Sequence, residues 1–273
     1  MPVAGRSLYV QERVGDGPLL LFLHGFPSSS FDFAPLLEQL PGRRALLFDC
    51  LGFGLSDKPA DHVYTLGWQA DAAEALVARA GGGPVVLVAH DMGTSVATEL
   101  FARDLRGEGS IEIEAALLIN GSILLERASP TPGQKLLRSR FGPLVARATT
   151  ATGFRLQFAR VFSKAHPLTR EAAADHWTLI ATHDGHRIAH RTIHYMGERE
   201  RLVDRWHGAI RDWPGELSFA WGLEDPVATT NVLDGLRALR PQAPVTELPG
   251  LGHYPQIEDP AAVAVAVEAL LAG

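Results

Sequence analysis

"VVLVAHDMGTSVA", residues 85–97, sets a β-branched apolar run directly against a stretch of small helix-forming residues. The Val and Leu run ending at Ala89 and His90 reads as a buried strand. Thr94, Ser95 and Ala97 open a helix. Only Asp91, Met92 and Gly93 are left to turn the chain between them. Small flanks, Ala89 and Gly93, let strand and helix nearly touch. The central residue is then pushed to strained backbone angles and projects above the sheet, where a side chain can act as a nucleophile. That residue is Asp91, and the helix dipole favours a carboxylate there. An ordinary N-cap aspartate would read the same way in isolation, so the rest of the chain has to decide.

Further continuous apolar runs, PLLLFLHG (18–25), RALLFDC (44–50) and EAALLIN (114–120), resemble the run at 84–90. Continuous rather than alternating hydrophobicity marks strands covered on both faces. Between two of them, WQADAAEALVARAGGG (68–83) has helical spacing and a glycine stop. ELSFAWG (216–222) and APVTELPG (243–250) supply two more strands around the helix 230–240, and 261–272 reads as a C-terminal core helix. Strand–helix alternation predicts an α/β fold with a mostly parallel, doubly wound sheet. The stretch from about 123 to 214 breaks the rhythm, with no clear buried strand and with Pro130, Pro132, Pro143 and Pro167 as punctuation. It is expected to be a helical cap inserted over the sheet's C-terminal edge. The expected division is therefore a first core part at 1–122, a cap at 123–214 and a second core part at 215–273.

Bulk properties narrow the function classes. The 273 residues are 46% hydrophobic and 21% charged, with a formal charge of −6, as in ordinary globular enzymes. No basic block points to nucleic acid or to an anionic membrane. The N-terminal stretch has no apolar signal-peptide core, and the longest late apolar run is too short to span a bilayer. A single cysteine, Cys50, forms no internal disulfide and fits a reducing compartment. A cytoplasmic location is expected, with a small molecule as the partner and a homodimer as the compatible self-association.

Two other motifs decide the reading of Asp91. "HGFP" (24–27) ends a strand, so the backbone N–H of Phe26 can point at a developing oxyanion, with the N–H of Met92 as the second donor. "WGLEDP" (221–226) and "LPGLGHYPQIEDP" (249–260) each follow a strand. They bring Asp225 and His253 to the sheet edge that carries Asp91, in the order nucleophile, acid, histidine.

With these motifs the chain resembles the α/β-hydrolases over nearly all of its length outside the cap. The His-Gly-x-Pro turn and the aspartate elbow resemble the epoxide hydrolase and haloalkane dehalogenase branch. HDMG with HYPQIEDP is also similar to the mesoderm-specific transcript group. The resemblance implies that Asp91 attacks an alkyl carbon and becomes an ester. Water activated by His253, oriented by Asp225, then opens that ester at the Asp91 carbonyl, and no metal or organic cofactor takes part. "DCLGFGLSDKP" (49–59) is the usual pocket-shaping loop of this branch. An amide at Asn120 cannot serve as the acid, so Asp225 carries that role.

Epoxide opening needs a proton donor, which the resembled epoxide hydrolases supply from cap tyrosines, commonly two. Tyr195 is the one tyrosine in the cap segment, and His176 or His194 could be the second donor. Halide release needs N–H donors, but Phe26 and Met92 offer none from their side chains. Trp177 could compensate. An apolar epoxide is therefore the expected substrate, with a haloalkane as the alternative and a non-catalytic small-molecule receptor as the competing class. His24, Pro27, His90, Trp177 and His194 are the expected substrate contacts. His183, His186, His190 and His194 recur at helical spacing, but without a carboxylate in the set they read as a histidine stripe rather than a metal site. Trp206 and Trp213 are expected to anchor the cap's return to the sheet.

Overall fold

Seven strands form the sheet that carries the motifs in the computed structural model, which describes residues 1–272. A two-stranded ribbon, β1 (Pro2–Val3) with β2 (Arg6–Ser7), precedes it. The sheet is built from β3 (Val10–Arg13), β4 (Asp16–Leu23), β5 (Arg43–Phe48), β6 (Pro84–His90), β7 (Glu112–Ile119), β8 (Glu216–Gly222) and β9 (Val245–Leu248), in the spatial order β3-β5-β4-β6-β7-β8-β9. Every neighbouring pair is parallel except β3 with β5.

Residue alternation explains why the central strands read as continuous apolar runs. Leu19, Leu21, Val85 and Leu87 face one cluster with Leu76 and Leu100, from the helices Leu66–Arg79 and Met92–Asp104. Leu20, Phe22, Val86 and Val88 face the other, with Leu36 from the helix Ala34–Glu38 and Val263 and Val267 from Pro260–Ala272. Each such side chain, taken fully out of water, contributes about 1.5–3 kcal/mol. Both faces must therefore be apolar.

All six expected strands form, most of them a residue or two displaced, and the helices 66–79, 230–239 and 260–272 lie where the spacing puts them. The sequence reading has no counterpart for β3. Its residues, Val-Gln-Glu-Arg, sit half in water on the sheet's edge and lack a buried run. Between β7 and β8 there is no strand. Seven short α-helices, from Pro132–Arg138 to Val203–Asp212, fill the interval. Trp206 and Trp213 tie its end to the helix after Asp91. Trp206 Nε1 donates to Glu99 at 2.9 Å and Trp213 Nε1 to Asp104 at 2.7 Å, and Trp213 stacks on Phe101 at 4.2 Å. Among the described residues no helix is long and apolar enough to cross a membrane.

Candidate active site

The chain turns from β6 into the helix Met92–Asp104 through Asp91, at φ 45° and ψ −108°. L-residues rarely occupy this region, and the surroundings hold it there. The Asp91 N–H donates to Ile119 at 3.2 Å, and its carbonyl accepts from the Thr94 hydroxyl at 2.6 Å. Gly93 is required by contact, since a Cβ there would collide with the Leu23 carbonyl of β4. A Cβ on Gly25 would come within 2.7 Å of the Asp91 Cβ. The two tight turns thus pack against each other, and the Phe26 N–H donates to Asp91 Oδ2 at 2.9 Å. The Met92 N–H, at the first helical position, has no carbonyl to bond within its own helix.

Asp225 and His253 arrive on the loops after β8 and β9. His253 Nδ1 lies 2.6 Å from Asp225 Oδ2. The other carboxylate oxygen of Asp225 accepts from the N–H groups of Val227 at 2.7 Å and Ala228 at 3.0 Å. Asn120 completes the arrangement. Its amide donates to Asp225 Oδ2 at 2.8 Å, and its Oδ1 accepts from Gly222 at 2.8 Å. Thus Asn120 supports the acid. Glu258, from the "IEDP" stretch, accepts from the backbone N–H groups of Ser163, Gly252 and Tyr254 and so fixes the histidine loop to the helical segment.

Burial opposes a charge on His253, but Asp225, Asp91 and Glu258 together outweigh it and push the imidazole pKa up to about 9. Burial likewise opposes a charge on Asp225, yet the His253 charge and the hydrogen bonds around it hold the carboxyl below its usual value. Arg199 adds the second cation. It is buried, and its guanidinium donates to the Asp91 carbonyl at 3.0 Å and to Ser95 Oγ at 2.8 Å, with 3.9 Å to Asp91 Oδ1. The imidazolium and the guanidinium offset most of the negative charge of these carboxylates, which makes their common burial tolerable.

A cavity of about 140 Å³ opens between the sheet edge and the helical segment. Phe26, Pro27, Trp177, His253 and Tyr254 are among its walls, with Leu137 and Phe158 contributing apolar surface. Asp91 is 2% exposed and lies behind the wall, bonded to Phe26, which is on it.

Of the expected site residues, Asp91, Met92 and Asp225 lie behind the walls, and four others are not on them either. His24 is wholly buried; its Nδ1–H donates to Gly25 at 2.8 Å and its Nε2 accepts from the Cys50 N–H at 2.9 Å, so it braces the turn before Phe26. His90 donates from Nε2 to the His253 carbonyl at 2.7 Å and sets the height of that loop. Burial and the His253 charge hold the His90 pKa down to about 3. His194 is exposed, because the chain breaks between the helices Gly185–Thr192 and Tyr195–Arg201 and turns it outward; His186 is the histidine of the stripe that reaches the cavity. Tyr195 is 3% exposed and sits beside the Phe26 ring at 5.9 Å, under the Arg199 guanidinium at 4.7 Å, rather than on the cavity wall. Arg199 itself carries no signal in the sequence, since MGERER (196–201) reads as a solvated charge run.

Fold and site together define an α/β-hydrolase. The chain belongs to the alpha/beta hydrolase family, whose model matches residues 20–267. It is 54% identical to LipZ of Mycobacterium tuberculosis over 271 residues, covering 99% of this chain and 94% of that protein. It is 34% identical to the human mesoderm-specific transcript homolog protein, covering 94% of this chain and 80% of that one. Among solved structures, the haloalkane dehalogenase DbeA from Bradyrhizobium elkani superposes with a TM-score of 0.83 at 21% identity, covering 100% of this chain and 96% of that chain, which is a likeness of fold.

Proposed function

We propose that the protein hydrolyses an apolar epoxide through a covalent ester on Asp91, with the helices between β7 and β8 acting as the cap. The observation that carries this reading is the 2.9 Å bond from the Phe26 N–H to Asp91 Oδ2. The oxyanion donor already holds one carboxylate oxygen, and the other is left to attack carbon. In the first step Asp91 forms a C–O bond while the carbon–oxygen bond of the epoxide breaks. In the second, His253 takes a proton from water, and the hydroxide adds to the Asp91 carbonyl carbon. The N–H groups of Phe26 and Met92 then stabilise the negative oxygen. Collapse releases the diol: the alkoxide freed from the ester takes the proton back from His253, and the oxygen of the opened epoxide has by then taken one from an acid, which the Asp91 carboxyl replaces as it returns to carboxylate.

The charge arrangement supports this sequence of steps. In the free enzyme Asp225 and Asp91 favour imidazolium at His253, which cannot act as a base. Alkylation removes the Asp91 charge, so the imidazolium gives its proton to solvent and is a base when one is required; the proton is taken up again when the Asp91 carboxylate returns. An intact, buried acid–histidine pair also argues against a retired site or a receptor, which has no use for a base and its orienter.

Trp177 on the cavity wall favours a second reading, release of halide from a haloalkane, because its indole N–H is a donor that Phe26 and Met92 lack. Incubation with styrene oxide and with short haloalkanes separates the readings. Diol supports the first, halide ion the second. Ligand-induced stabilisation without product contradicts both.

A further inference from the structure

An oxygen leaving carbon needs a proton, and a phenol other than Tyr195 stands on the cavity wall. Tyr254 lines the cavity beside His253, with its ring stacked on Phe162 at 5.3 Å. Its hydroxyl donates to the Phe26 carbonyl at 3.4 Å, long for an O–H···O bond, so the hydrogen can turn to a better acceptor. The N–H of the same Phe26 holds Asp91 Oδ2. One residue therefore carries the nucleophile at its nitrogen and the phenol at its oxygen, which keeps the two groups within roughly 10 Å. An epoxide opened in line needs roughly 7 Å between attacking oxygen and acid.

A buried polar line runs away from the phenol. The Ser28 hydroxyl is beside it and is hydrogen-bonded to Asp32 Oδ2. Asp32 is wholly buried, and its Oδ1 lies 3.6 Å from His176 Nδ1; neither of these two atoms has a hydrogen-bond partner. Burial pushes the Asp32 carboxyl well above its usual range and holds His176 down to about 4, so burial favours the uncharged form of each. Burial also keeps the proton on the Tyr254 phenol, so the donor is loaded when the epoxide oxygen departs.

We propose that Tyr254 protonates the departing epoxide oxygen and is resupplied through Ser28 from the Asp32 carboxyl. The proposal rests on Asp91 being the alkylated nucleophile. As the Asp91–carbon bond forms, the electron pair of the broken C–O bond goes to oxygen, which takes the Tyr254 proton. Ser28 passes its proton to the phenolate and receives one from Asp32. Ester hydrolysis by water regenerates the Asp91 carboxylate and releases one proton, which restores the line. The sum is epoxide plus water giving diol.

The test measures Asp91 alkylation by mass spectrometry in a His253→Gln background, with 1,2-epoxybutane and with 1-bromobutane, because bromide leaves without a proton. Adding Tyr254→Phe should slow the epoxide reaction about 100-fold or more, within the range for general acid catalysis, and change the bromide reaction less than about 3-fold. Asp32→Asn should slow the epoxide reaction about 10-fold with the same indifference to bromide. Within the epoxides, the loss from Tyr254→Phe should be smaller for epichlorohydrin, whose alkoxide departs more readily. Equal losses with both reagents, or no loss with the epoxides, overturn the proposal. Absence of any Asp91 adduct while Tyr254 is present overturns the nucleophile reading as well.

Discussion

Arg199 donates to the backbone carbonyl of Asp91 at 3.0 Å and stands 3.9 Å from its Oδ1. A guanidinium from the helix Tyr195–Arg201 therefore clamps the strained turn after β6 and shares its charge with the carboxylate that sits there. Removing one member of a buried charged set leaves the rest uncompensated. Arg199→Met is expected to destabilise the fold by about 3 kcal/mol. Arg199→Lys should recover part of this but lose the second bond of the planar fork, because an ammonium is a point donor. Chemical denaturation of the two variants checks the order. Equal stability of Arg199→Met and the parent protein would show that the clamp carries no stability.

The titration of His253 couples stability to pH. Its pKa stands near 9 in the folded chain, against 6.5 ordinarily. A raised pKa means that the folded state holds the proton more tightly. The added stability is fully present below pH 6.5 and is lost as pH rises through 9, with a slope of at most about 1.4 kcal/mol per pH unit. His253→Gln should remove this contribution. Melting curves between pH 6 and 9.5 should show the parent losing stability relative to the variant, and parallel curves would contradict the assignment.

Catalysis should show a different ionisation. With Asp91 esterified, one of the charges that favour imidazolium is gone. Single-turnover decay of the ester is then predicted to rise with pH along an ionisation below 9, the value of the free enzyme. Stopped-flow measurement of that step checks it. A rate independent of pH would remove His253 as the base.

Asn120 is predicted to matter without touching substrate. Asn120→Ala deletes the donor to Asp225 and leaves the Gly222 N–H without its side-chain partner. The expected cost is about 1–3 kcal/mol in stability, with turnover lowered about 10-fold because the acid no longer fixes the imidazole in one orientation. Steady-state kinetics and denaturation report the two effects separately. Unchanged turnover in a destabilised variant would limit Asn120 to the fold.

Much of the fold is legible in the chain because the relevant signals are local. The run at 84–90 is apolar at nearly every position, as a strand buried on both faces must be, and Gly93 marks the contact that lets a helix begin at once. Asp225 and His253 are legible because each follows a strand signal, the buried run of β8 and the shorter, half-buried β9. Arg199 and Tyr254 depend on what the helical segment packs against. Arg199 lies in a charge-rich sequence that resembles a solvated face, yet tertiary contacts bury it. Tyr254 follows the histidine directly, and only the cavity distinguishes it from a core tyrosine. His24 and His90 show the reverse. Their motif positions suggest substrate contact, whereas both ring nitrogens of His24 and Nε2 of His90 are engaged with backbone groups behind the site.

The most direct test of the account is the mass of the His253→Gln protein after exposure to styrene oxide. An increase by one whole epoxide is expected, carried by the peptide that contains Asp91 and absent from an Asp91→Asn, His253→Gln double variant. An adduct on another side chain, or none while the parent protein makes diol, would contradict it.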